Sequence, residues 1–385
     1  MKFDFEYFDR VVDRRGTNSM KWDEEPCSIP LWVADMDFPT APCIVDALRK
    51  RVDHGIFGYT FVPDEYYNSA IEWFESLHSW RFSKKDVIYT SGVVPAISAI
   101  IKAMTRPGDK VVVQTPAYNC FFSSIRNNGC ETVSNELINT GNGYVMNFED
   151  LEQKLSDPAV KVMILCNPHN PVGRVWSRDE LKAVSEACLR NGVFVISDEI
   201  HCELTYPSHE YTPFGSLGAE MARNSAVCVS PSKAFNIAGL QIANIVVAND
   251  SVRAKIDRAI NDNEVCDVNP FGVIATIEAY SHGREWLEGL KEYLHNNYKI
   301  VCDFFRCNFP RFPVTPLQGT YLAWIDISAS GLSGKEFCQK LYEKTGVRLN
   351  SGEMYGNGGE DFIRLNFACP RKILLAALEM IKTSI

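Results

Sequence analysis

Six short apolar runs punctuate the chain, at 87–89, 111–114, 162–165, 193–196, 226–229 and 245–248. Runs that are apolar without alternation fit strands buried on both faces. Helical periodicity fills several of the gaps, at 96–104 after the first run and over Arg178–Arg190 after the third. The second of these opens with Ser177 and, three residues on, Glu180, the spacing at which side chain and backbone cap each other. Gly192 follows its end, where a left-handed residue is wanted. Strands alternating with helices predict an α/β unit on a mostly parallel sheet, spanning residues 46–284. After residue 284 the pattern changes. A long amphipathic stretch leads to alternation at 319–326, a helix over Gly334–Thr345, a strand at 362–367 and a last helix. This predicts a second, smaller α+β domain from residues 285–385, with residues 1–45 packed against it.

Composition narrows the function classes. The 385 residues carry 39 Lys+Arg against 48 Asp+Glu, a net charge of −9, and no basic block stands out. Nucleic acid and anionic membrane are therefore not expected as partners. No run approaches the ~18 apolar residues of a membrane span, and the opening MKFDFEYFDRVVDRR has no apolar core of a signal peptide. Thirteen cysteines include no C-x-x-C pair, and several sit in apolar stretches, as Cys228 does in AVCVS. That usage predicts buried free thiols in a cytoplasmic protein and no metal site.

In open α/β sheets, ligands bind beyond the carboxyl ends of the strands. Read in that order, the residues past the runs are Thr90-Ser91-Gly92-Val93-Val94, then Thr115-Pro116-Ala117-Tyr118, then Asn167 to Gly173 with Asn170 at its centre. Asp198-Glu199-Ile200-His201 and Ser230-Pro231-Ser232-Lys233 follow. One sheet edge thus gathers a glycine turn at a helix start, an aromatic ring, an amide, a carboxylate with an imidazole, and a lysine between hydroxyls. The set suits an aldehyde cofactor with a phosphate tail and a basic heteroaromatic ring. Lys233 would condense with the aldehyde. Asp198 would keep the ring nitrogen protonated, which makes the ring an electron sink. Asn170 would hydrogen-bond a phenolic oxygen and Tyr118 would stack on the ring. The N–H groups of Gly92, Val93 and Val94 open a helix, where phosphate binds well, and Ser230 and Ser232 add hydroxyls. The cofactor so described is pyridoxal 5′-phosphate.

These segments resemble the fold-type I pyridoxal-phosphate enzymes, through Asn170-Pro-Val-Gly173, Asp198-Glu-Ile-His201, the run from Ser230 to Leu240, and Arg364 to Cys369. Trp32-Val-Ala-Asp-Met-Asp-Phe38 and Phe57-Gly-Tyr-Thr60 are similar to the cystathionine β-lyase (C–S lyase) group within them. The resemblance covers nearly the whole chain in order. It implies the aspartate-aminotransferase-like fold, a homodimer with shared active sites, and Tyr59 reaching the neighbouring subunit's phosphate. It further implies Arg364 on the substrate α-carboxylate, and Ala34 and Asp35 beside the substrate. Two positions depart from many aminotransferases: His201 stands where they have tyrosine, and Gln241 where they have a phosphate-pairing arginine. The second departure implies a looser hold on the cofactor.

The expected reaction is α,β-elimination on a sulfur amino acid, giving pyruvate, ammonia and a thiol. An aminotransferase using the same residues is the alternative, because both begin by removing the α-proton with Lys233. A regulator that binds the cofactor without turnover would ordinarily carry a DNA-binding segment, for which the pattern offers no candidate. Plainer roles exist for single residues: an N-cap for Asp198, a turn for Asn170, core packing for Tyr118, a support to Asp198 for His201, a structural ion pair for Arg364, and a loop aromatic for Tyr59.

Overall fold

The computed structural model describes residues 2–24, 29–262, 264 and 267–384. Each of the six apolar runs coincides with a strand. These are β1 (Val87–Thr90), β2 (Lys110–Thr115), β4 (Val160–Cys166), β5 (Phe194–Asp198), β6 (Ser225–Val229) and β7 (Ala243–Val246), and β3 (Glu131–Glu136) joins them. They form one sheet in the order β1-β7-β6-β5-β4-β2-β3. Neighbours are parallel, except that β7 runs against both β1 and β6. Every residue of β5 and β6 is buried, as expected where helices cover both faces of a sheet. The run at 131–136 has three exposed residues and lies at the sheet's edge, which is why it carried no apolar signal.

Helices α1 (Val93–Met104), α2 (Asn119–Asn127) and α3 (Arg178–Arg190) follow β1, β2 and β4. Ser177 and Glu180 close the capping box at the start of α3, and Gly192 after its end has φ +66°. Gly173, in the loop after β4, also needs a left-handed backbone at φ +70°. A Cβ there would sit 2.2 Å from Leu317. Its carbonyl accepts the N–H groups of Gln318 and Gly319 at 2.9 and 3.1 Å, so the loop is tied to a distant segment.

The later part of the chain contains α4 (Arg284–Asn308), β8 (Leu322–Asp326), α5 (Gly334–Thr345), β9 (Asn350–Ser351), β10 (Phe362–Asn366) and α6 (Arg371–Lys382). The strands form an antiparallel sheet in the order β8-β10-β9. The first residues join this part: Ile29 and Pro30 pair in parallel with Val347 and Arg348, and Leu31 O accepts Asn366 N–H at 2.9 Å. Cys130, Cys166, Cys188, Cys202, Cys228 and Cys369 are buried free thiols; Cys27 and Cys266 lie outside the described residues. No described helix is long and apolar enough to cross a membrane, and no described group of side chains could hold a metal ion.

Candidate active site

The carboxyl ends of β1, β4, β5 and β6 surround a cavity of about 190 Å³. Its wall includes Ala34, Gly92, Val93, Val94, Tyr118, Asn170, Asp198, His201, Ser232 and Lys233. Parallel neighbours end on the same side, so the residue closing each strand or opening the next loop meets its counterparts there.

Gly92 precedes α1, whose first N–H groups have no partner within the helix and favour an anion. Tyr118 precedes α2, and burial raises its phenol well above the ordinary value, so the hydroxyl stays protonated. Asp198 ends β5. One of its oxygens accepts Ile200 N–H at 3.1 Å, and burial pushes its carboxyl up to about 6, tempered by that hydrogen bond and by the Lys233 charge. A cation set against Asp198, such as a protonated ring nitrogen, would return it to its ionised form. No helix follows Asp198 directly, so the N-cap reading fails. Lys233 lies in the turns after β6, with its Nζ 2.6 Å from Ala34 O. Burial lowers its affinity for a proton, as a reacting amine requires.

Arg364, in β10, is 3% exposed. Its guanidinium donates to Asn170 Oδ1 at 3.2 Å and Trp32 O at 3.0 Å. Among the described residues its guanidinium pairs with no carboxylate, and its Nε has no hydrogen-bond partner. A buried arginine with spare donors suits an anionic ligand and argues against a structural ion pair. Because Asn170 spends its oxygen on Arg364, its amide NH₂ is the part able to donate to a ligand. His201 is 3% exposed, with an unpartnered Nδ1. Its ring meets that of Tyr321 edge-on at 5.8 Å, and burial drives its pKa down to about 3, so it is neutral.

Three sequence candidates sit elsewhere. Ser230 is buried behind the wall, where its hydroxyl donates to Ile242 O at 2.6 Å and accepts Ser232 N–H at 3.1 Å. The Asp35 carboxylate turns to Arg14 at 2.7 Å and reaches the cavity only through its field on Lys233. Tyr59 is 98% exposed. Conversely, the cavity wall includes Cys166 and Gln241, and Tyr321 donates to Ala34 O at 2.8 Å. Cys166 had a usable signal: it directly follows the apolar run at 162–165, and it pairs with Asp198 across β4 and β5. The direction of Tyr321 had none, because either face of its alternating stretch is apolar.

Depth of burial, donor set and helix start all fit the cofactor inferred from the sequence. Comparison with known proteins agrees. The family model of the class I and II aminotransferases matches residues 28–381. The chain belongs to that family.

Among individual members of the family, cystathionine beta-lyase PatB of Bacillus subtilis (strain 168) is 42% identical over 98% of this chain and 99% of its own. A pyridoxal-phosphate-bound candidate aminotransferase from Clostridium difficile 630 superposes with a TM-score of 0.96 at 41% identity, covering 98% of this chain and 99% of that one. Cystalysin of Treponema denticola, which contains pyridoxal 5′-phosphate, gives 0.95 at 32% identity over 98% of both chains. The aspartate-aminotransferase-like fold expected from the sequence is the observed one.

Proposed function

We propose that this chain is a pyridoxal-phosphate-dependent carbon–sulfur lyase that cleaves cystathionine-like amino acids to pyruvate, ammonia and a thiol. One observation carries the reading: Lys233, Asp198, Asn170 and the open start of α1 converge on one cavity, with Arg364 bonded to Asn170. Similarity to a cystathionine beta-lyase over nearly the full chain supports elimination as the outcome.

When bound, the cofactor supplies an aldehyde that captures the substrate amine and a protonated ring that accepts an electron pair. The protein does the rest. Gly92, Val93, Val94 and Ser232 bind the phosphate, and Tyr118 and Asn170 orient the ring. Asp198, ionised by the ring cation, holds the ring-nitrogen proton. The Arg364 fork takes the α-carboxylate in bidentate fashion, which turns the α-hydrogen toward Lys233. Lys233 Nζ, its hold on a proton weakened by burial, removes that proton. As the α-carbon's electron pair forms a double bond to the β-carbon, the β-carbon–sulfur bond breaks with its electrons on sulfur, which departs as thiolate; the released aminoacrylate then takes up water to give pyruvate and ammonia.

The residues at 57–61 fit a homodimer. Phe57, Tyr59 and Phe61 are 56%, 98% and 79% exposed in one subunit, more apolar surface than an isolated loop ordinarily shows. A second copy would cover it and bring Tyr59 to the neighbouring phosphate. Free buried thiols support a reducing, cytoplasmic setting. The chain divides, in this reading, into a cofactor domain at 46–284 and a smaller domain from 1–45 and 285–385.

An aminotransferase is the second reading, favoured by the likeness to the Clostridium difficile protein. One assay separates the two. With L-cystathionine and no keto acid, pyruvate and a free thiol should accumulate; a requirement for a keto acid, with a new amino acid formed, would establish the aminotransferase.

A further inference from the structure

The stretch at 32–38 runs beside the cavity with its carbonyls engaged in an alternating pattern. Val33 O and Asp35 O both accept Asn366 Nδ2, at 2.5 and 2.7 Å. Trp32 O and Ala34 O instead accept from the two basic side chains of the site. Trp32 O accepts Arg364 Nη2 at 3.0 Å and Ala34 O accepts Lys233 Nζ at 2.6 Å. Each of these two carbonyls takes one further donor: Asn350 Nδ2 on Trp32 O at 2.9 Å, and Tyr321 Oη on Ala34 O at 2.8 Å.

We propose that Tyr321 and Asn350 are positioning residues which, by fixing the Ala34 and Trp32 carbonyls, set the separation between the Lys233 amine and the Arg364 guanidinium. The inference rests on the roles given above to Lys233 as base and Arg364 as carboxylate clamp. An α-amino acid hangs its carboxylate and its α-hydrogen on one carbon, so clamp and base must be spaced to match. A lysine amine on a four-carbon stem does not hold such a position unaided, and a misplacement of about 1 Å costs roughly a hundred-fold in rate.

The supports are themselves fixed. Tyr321 is fully buried and, raised by burial, remains a protonated donor. Asn350 also donates to Tyr355 Oη at 3.2 Å, and the Tyr355 ring lies 5.0 Å from the Arg364 guanidinium carbon. Behind the stretch, Asn236 Nδ2 donates to Met36 O and Phe38 O at 2.9 and 2.8 Å, while its Oδ1 accepts Met36 N–H at 3.0 Å. The stretch is therefore held from both sides.

The test compares Tyr321→Phe and Asn350→Ala with the parent protein, using exchange of the L-alanine α-proton in heavy water, followed by NMR. L-alanine has no leaving group, so exchange reports proton removal alone. Tyr321→Phe should lower kcat for exchange by roughly ten- to a hundred-fold with KM within about two-fold. Asn350→Ala should raise KM by about ten-fold with a much smaller change in kcat; Asn350→Leu, of similar shape, replaces it if the alanine variant does not fold. A readout independent of turnover is the rate at which cofactor-free protein captures added pyridoxal phosphate, seen by absorbance. Tyr321→Phe should slow that capture several-fold. Equal kcat and KM losses in both variants, or capture by Tyr321→Phe at the parent rate, would overturn the positioning role. Failure of the parent protein itself to capture pyridoxal phosphate or exchange the proton would overturn the underlying function instead.

Discussion

Asp198 and Glu199 are adjacent buried carboxyls, and they illustrate what the site demands of single residues. Burial raises both, Asp198 to about 6 and Glu199 to about 7. Glu199 is compensated by Ser197 Oγ at 2.7 Å, Phe214 N–H at 2.9 Å and the Tyr211 hydroxyl. Asp198 has one backbone donor and faces the cavity. A carboxyl held above its unfolded value binds a proton on folding. Its contribution to stability is therefore full below about pH 4 and lost as pH rises through about 6. Cofactor-free Asp198→Asn should accordingly be more stable than the parent at pH 8, by up to ~3 kcal/mol. The difference should vanish near pH 4 in urea denaturation. The same variant, loaded with cofactor, should lose turnover about a hundred-fold or more, since an amide cannot hold the ring proton. Near-normal elimination would remove Asp198 from the account. At this scale Lys233, Asp198 and Asn170 were legible because each sits just past an apolar run, where topology alone brings residues together. Tyr321 was not, because its direction is decided by packing against His201 and the 32–38 stretch.

At the scale of elements, the 32–38 stretch depends on a buried charge cluster. Asp37 accepts from Lys21 Nζ at 2.8 Å, Arg14 Nη1 at 2.7 Å and Trp22 Nε1 at 2.8 Å, with the Lys21 and Asp37 side chains almost wholly buried. Asp37→Ala takes the nearer carboxylate from the buried Lys21 ammonium and leaves it only Asp35, at 3.6 Å, which costs up to about 3–5 kcal/mol. Ser177→Ala removes an exposed cap from α3 and costs about 1 kcal/mol. Chemical denaturation should show the first shift several times the second; comparable shifts would mean that the cluster is not what holds the stretch. The sequence pattern located α3 and α5 to the residue, since each has its capping box and apolar stripe in place. It missed β3, which is half exposed, and the pairing of residues 29 and 30 with 347 and 348, because no local signal encodes a partner more than three hundred residues away.

For the whole molecule, the claim is a dimer whose active sites are completed across the interface. Val52, Ile56, Phe57, Tyr59 and Phe61, near one another in sequence, are all exposed in the single subunit. Sedimentation should find a dimer at assay concentrations, and an active monomer would contradict the claim. Tyr59→Ala should leave the dimer intact but increase cofactor loss on dialysis, read by absorbance; retention equal to the parent would exclude Tyr59 from the partner's phosphate site. Gln241 lines the cavity and brings no charge to a phosphate, so in the proposed dimer a loss of Tyr59 should be felt the more strongly. The order of the strands and the reversed β7 could not be read from periodicity; the alternation of strand and helix, and with it a mostly parallel sheet, could.

The whole site is built around one amine, that of Lys233. Loaded protein reduced with borohydride, digested and mapped by mass spectrometry should carry the pyridoxyl group on Lys233. Finding it on any other lysine, with Lys233 unmodified, would contradict the account.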